Sequence, residues 1–163
     1  MILGMSVALF TTIHVIISLV AILAGFVVVF GMLQNRHSGL WAAIYLVLIA
    51  LTSLTGYPIP PLGLGPPQVI GTISLVVIVV AIAALYVFHL SGVWRGIYVA
   101  AAVAALYFDC FVGVAQALGK IPALHALAPT QSSPGFLVAQ IVVLVIFVFL
   151  GYLGVKRFHP GAV

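Results

Sequence analysis

A chain of 163 residues that is 66% hydrophobic and 4% charged cannot clothe itself in water-compatible surface, since a soluble domain of this size carries roughly 25% charged residues. Its mean hydropathy of +1.45 makes lipid the solvent. The formal net charge of +4 comes from five scattered basic residues rather than a basic tract, which argues against nucleic acid as a partner.

At about 20 residues per spanning helix there is room for four to six spans and no separate soluble domain, so residues 1–163 are expected to form one transmembrane domain. The N-terminal apolar run has no Lys or Arg before it and continues to Leu33, too long for the core of a signal peptide. It predicts an uncleaved first span over about 7–33, closed by the polar turn Gln34 to Gly39. A second span is predicted over about 40–57, stopped by Pro58. The next ten residues, PIPPLGLGPP, hold five prolines and two glycines. They cannot form a helix and predict a stiff apolar loop at the interface.

A third span is expected over about 68–90, a tight turn at Ser91 to Gly96, and a fourth span over about 97–118. Merging the third and fourth into a re-entrant hairpin is the alternative, but Trp94 and Arg95 in the turn look like interface anchors and favour two full spans. A longer loop from Gly119 to Gly135, with Pro122, Pro129 and Pro134, precedes a fifth span over about 136–155 that ends in Lys156-Arg157-Phe158-His159. In this loop Ser132 or Ser133 is expected to cap the last helix. The fold class is therefore an all-α bundle of five transmembrane helices. Arg36, Arg95, Lys156 and Arg157 then fall on one side, and Lys120 with the N-terminus on the other, which predicts N-out, C-in by the positive-inside rule. No internal repeat is visible, and an odd span count argues mildly against an inverted-repeat transporter.

The fourth span carries Asp109, the only acidic side chain in the chain. A carboxylate at membrane depth is costly and usually faces a partner or a water-filled cavity. It lies on a stripe with Ala102, Ala105, Gly113 and Gln116, while Thr11, His14, Ser18, Ala21 and Gly25 form a similar stripe on the first span. Small residues at such spacing let helix backbones approach in lipid, so helix packing is the simpler account of both stripes. Counting 1.5 Å per residue from the expected outer ends puts His14 roughly 10 Å and Asp109 roughly 13 Å into the bilayer. That predicts an outward-facing polar vestibule in which the two share a cavity. Thr52, Thr55, Tyr57, Gln68, Gln116 and Gln140 lie on the same side, with His125 contributing from the loop.

A His–Asp pair of this kind can relay a proton. His14, Asp109 and His125 could also ligate a metal, although their spacing matches no ligand motif. Haem between two histidines would need ligands at one depth, and His14 and His89 are expected at opposite faces. An inner pair of His89 with His37 or His159 would draw on loop or tail residues, and an interfacial role beside Tyr86 and Trp94 suits His89 better. Cofactor and metal therefore stay open. GxSxG, HExxH, CxxC, P-loop and GxGxxG motifs are all missing, and a lone carboxylate provides no acid pair, so enzyme chemistry has little to work with. Cys110 is the only cysteine, reads as a packed, inert thiol, and allows no intrachain disulfide.

Three runs, HVIISLVAILAGFVVVFGML from His14, GVWRGIYV from Gly92 and ALAPTQSSPGFLVAQ from Ala126, resemble small bacterial integral membrane proteins without an assigned activity. The resemblance implies a bacterial inner-membrane location and brings no functional residue with it. Three classes of function follow from the residues. The first is a structural or accessory subunit that self-associates or joins a larger membrane complex. The second is a small channel or transporter for a proton, ion or small solute, working through His14 and Asp109. The third is a haem- or metal-binding redox protein.

Overall fold

The computed structural model describes residues 1–60, 62–63 and 65–161. Five helices in it are long and apolar enough to cross a membrane. Among the described residues there is no β-strand, only an isolated bridge between Ile2 and Met5.

Helix α1 spans Val7–Leu33 and begins at Ser6, whose hydroxyl accepts from the Leu9 amide at 3.2 Å. Such a cap satisfies one of the amides that the first helical turn leaves without a partner. Asn35 ends the run in the left-handed region, with φ of 57°. Helix α2 (Gly39–Gly56) starts at Ser38, which caps the Trp41 amide. Helix α3 (Pro66–Ile82) opens on two prolines, whose missing amides cost nothing at the start of a helix. It runs on through one π-helical turn, Ala83–Val87. Helices α4 (Val93–Lys120), α5 (Pro122–His125) and α6 (Pro134–Arg157) complete the chain.

The five expected spans are all present, and the differences lie at their edges. The α3 helix stops at Val87 rather than Leu90, because the π turn leads straight into His89 and Leu90 at φ of 47° and 56°. The Trp94 ring stacks on Phe88 at 3.7 Å between centroids, and α4 begins at Val93, four residues earlier than expected. Both halves of the supposed hairpin are long enough to span, at 22 and 28 residues. Of the proline-rich loop expected over 58–67, residues 61 and 64 lie outside the described residues, and Pro66 and Pro67 already belong to α3. Ser133 does sit at the α6 N-cap position, but its hydroxyl donates back to the Thr130 carbonyl and caps no amide.

Helix α4 is the hub, in contact with α1, α2, α3, α5 and α6. Its inward stripe of Ala101, Ala102, Ala105 and Leu106 is buried. Small side chains there permit close approach, which in lipid replaces the hydrophobic effect as the source of cohesion. Gly25 of α1 meets this stripe: a Cβ at that position would lie 2.6 Å from Leu106 and 2.7 Å from Tyr45. Tyr45 of α2 is fully buried and donates its hydroxyl proton to the Ala102 carbonyl at 2.7 Å.

The ends of the bundle differ in chemistry. At one end His37, Tyr98 and Phe158 form an aromatic cluster, with ring centroids 6.1–6.5 Å apart. The His159 amide donates to Asn35 Oδ1 at 2.6 Å, which pins the chain after α6 to the α1–α2 turn. Arg36, Arg95, Lys156 and Arg157 gather around this basic end. The other end carries Lys120 and His14.

Candidate functional site

His14 is half-buried on α1, and its Nδ1 lies 2.8 Å from Thr55 Oγ1 on α2. The Thr55 hydroxyl already donates to the Leu51 carbonyl at 2.7 Å, so it accepts from Nδ1–H, and the imidazole keeps its Nε2 lone pair. Ser18, one turn on, donates to the His14 carbonyl at 2.9 Å. The charged neighbour of His14 is Lys120, at the end of α4. Nearby, the Tyr57 and Thr72 hydroxyls bond at 2.6 Å and tie α2 to α3, beside the buried Gln68.

Asp109 belongs to a different place. Its Oδ2 is buried without a hydrogen-bond partner, and the ionisable groups near it are Tyr45 and Cys110. No hydrogen bond or ion pair joins it to His14 among the described residues. The helix register explains this. His14 lies beside Gly56, and Gly25 beside both Tyr45 and Leu106. Helices α1 and α2 run antiparallel, as do α1 and α4, so Asp109 is level with about Ala24, ten residues or roughly 15 Å deeper than His14. Depths counted from each helix's own end mislead here, because Gly113 of α4 already lies beside Ile22, so α1 extends about two turns beyond the last turn of α4.

The remaining expected residues divide further. Gln140 is buried on α6 and donates from Nε2 to the Phe111 carbonyl of α4 at 3.0 Å, while its Oε1 has no partner. It thus clamps α6 to α4. Gln116 and His125 are exposed, and Thr11 is half-buried. Among the described residues no group of three or more His, Cys, Asp or Glu side chains is placed to hold a metal ion.

Sequence reasoning passed over two tyrosines and a cleft. Tyr45 and Tyr98 both have exposures of 0%. A mid-span tyrosine signals a hydroxyl that needs a partner, and that signal was available. Tyr45 finds one in Ala102, whereas the Tyr98 hydroxyl has none. Tyr98 also helps to line a half-open cleft of about 840 Å³ at the basic end, bounded by the second half of α1, the α1–α2 turn and the start of α2. His37 lies in this turn, outside the spans, and partial burial holds its imidazole below the ordinary value of 6.5. A second, apolar groove of about 430 Å³ runs between α4 and α6, walled by Ala100, Ala104, Tyr107, Phe147 and Gly151.

Fold and site together define a multi-pass, all-α membrane protein with little intramembrane polar chemistry. No family model, no curated protein and no solved structure matches this chain.

Proposed function

We propose that the chain is a structural or accessory subunit of a bacterial inner-membrane assembly, and that it self-associates through the α4–α6 face. The observation that carries this reading is the small-residue groove that flanks the sparsely buried α6. Of its 24 residues only Gln140, Phe147 and Gly154 are buried, and Leu137, Val138, Val145, Val148 and Phe149 are all 59% or more exposed. The groove beside it has a floor of Ala100, Ala104 and Gly151, small enough to admit a ridge from another helix. A second copy of α6 offers such a ridge along its valine-rich face.

The test is subunit counting by single-molecule photobleaching in lipid nanodiscs. The expected result is two or more copies for the wild-type chain and one for Gly151→Phe, which fills the groove without touching α1–α3. A wild-type monomer across a tenfold range of protein-to-lipid ratio would sink self-association.

One observation favours a second reading, a small proton or ion pathway. Asp109 Oδ2 is buried without a partner in a helix that crosses the hydrocarbon, and such residues commonly mark a path for ions or protons. This reading predicts a pH-gradient-driven flux in liposomes that falls at least tenfold with Asp109→Asn. Flux equal to that of empty liposomes would remove it.

A further inference from the structure

The cleft at the basic end combines features that a merely irregular surface would not. Its wall on α1 runs from Leu23 through Phe26, Val27 and Phe30 to Gln34. These residues repeat at three- and four-residue spacing, so they make one continuous stripe. From Leu23 to Gln34 the chain advances eleven steps, roughly 17 Å at 1.5 Å per residue. That is close to the depth of one leaflet, half of a hydrocarbon core about 30 Å thick. The polar mouth is formed by Arg36, His37 and Ser38.

Two observations at the mouth point to an anion, and one in the wall points to a ligand. Arg36 is exposed, and among the described residues its guanidinium meets no carboxylate; the only acidic side chain, Asp109, lies far along α4. The 18-residue helix α2 begins here at Ser38, so its free amides and dipole face the same mouth. Tyr98, which lines the cleft, is 0% exposed, and its hydroxyl has no hydrogen-bond partner. A buried hydroxyl left without a partner is uncommon in a folded protein, and a ligand is one of the things that supplies it.

We infer that this cleft is a binding site for an anionic amphiphile, a phospholipid of the leaflet at the basic end. Its phosphate lies between Arg36 and the first turn of α2, and one acyl chain follows the Leu23–Phe30 stripe. The inference is independent of self-association, since the α4–α6 groove lies on other residues.

The experiment is native mass spectrometry of the full chain with added phosphatidylglycerol, with phosphatidylcholine, and with soluble glycerol phosphate. Phosphatidylglycerol is expected to remain at one copy per chain, with affinity at least tenfold above phosphatidylcholine. Arg36→Gln should lower that affinity about tenfold, as loss of a charge-assisted contact to phosphate does. Tyr98→Phe, which keeps the ring and so the packing, should lower it about fivefold, the size of one neutral hydrogen bond. Arg157→Gln, at the same end but outside the cleft, should change it less than twofold.

Equal affinity for the two lipids would overturn the site. So would equal losses from Arg36→Gln and Arg157→Gln, which would reduce the effect to general surface charge. Glycerol phosphate that binds as tightly as the lipid would make the source a soluble phosphate and overturn the assignment to lipid.

Discussion

Helices α4 and α6 are both long and apolar enough to cross a membrane, and they play opposite roles. The most apolar window of α4 is 39% buried within the bundle, that of α6 only 11%. The difference lies in side-chain size by face. Helix α4 gathers Ala101, Ala102 and Ala105 on the face that meets α1, α2 and α3. Helix α6 spreads Val, Leu, Ile and Phe around its circumference, with Gly151 and Gly154 as its points of close approach to α4. In lipid an apolar side chain gains little by leaving the hydrocarbon, so hydropathy cannot tell a hub from a peripheral helix. The distribution of small residues can.

Substitutions on the two helices' contacts should therefore differ in size. The largest effect is expected at the hub. Gly25→Leu drives a side chain into Leu106 and Tyr45, where even a Cβ would lie within 2.7 Å. Overpacking of this kind costs about 3 kcal/mol, and thermal denaturation in detergent should show a large loss of midpoint or no folded protein. Gly154→Val meets Val99 across the α4–α6 seam, with Cβ 2.8 Å from a methyl group. Helix α6 is free to shift outward, so about 1–2 kcal/mol is expected by the same measurement. A loss equal to that of Gly25→Leu would mean that α6 is as firmly held as α1.

Tyr45→Phe removes the hydroxyl bonded to Ala102. About 1 kcal/mol is expected, and no measurable loss would show that ring packing alone holds α2 to the hub. The smallest effect belongs to His37. Both folded and unfolded chains hold it neutral above its ordinary value of 6.5. As pH falls through that value the unfolded chain takes up a proton that the half-buried folded site resists, so stability declines below about pH 6.5. His37→Gln should flatten this slope in melts between pH 5 and 7.5, while leaving the Gly25 and Gly154 effects unchanged.

The five spans were legible because runs of apolar residues near 20 long, broken by Gly and Pro clusters, have no other common meaning. The π turn at Ala83–Val87 was not legible. It is a shift of backbone hydrogen bonding inside the unbroken apolar run AIAALYVF. The partner of His14 was missed for a geometric reason. Thr55 and Asp109 both lay on the expected outer side, and only the stagger of the helices decides which one the imidazole meets. The stripe containing Gly25 was read as packing, and the closeness of Leu106 and Tyr45 to it agrees with that. Tyr98 was hidden because its meaning depends on Phe158 and His37, which are distant in sequence and meet only when the bundle closes.

That closure has a consequence for biosynthesis. Phe158, fully buried against Tyr98 and His37, follows the last residue of α6, so it is synthesised after all five spans. Until then the basic end has an unfinished wall, however well the first four spans have inserted. Maturation of this end is therefore a late, post-insertion event.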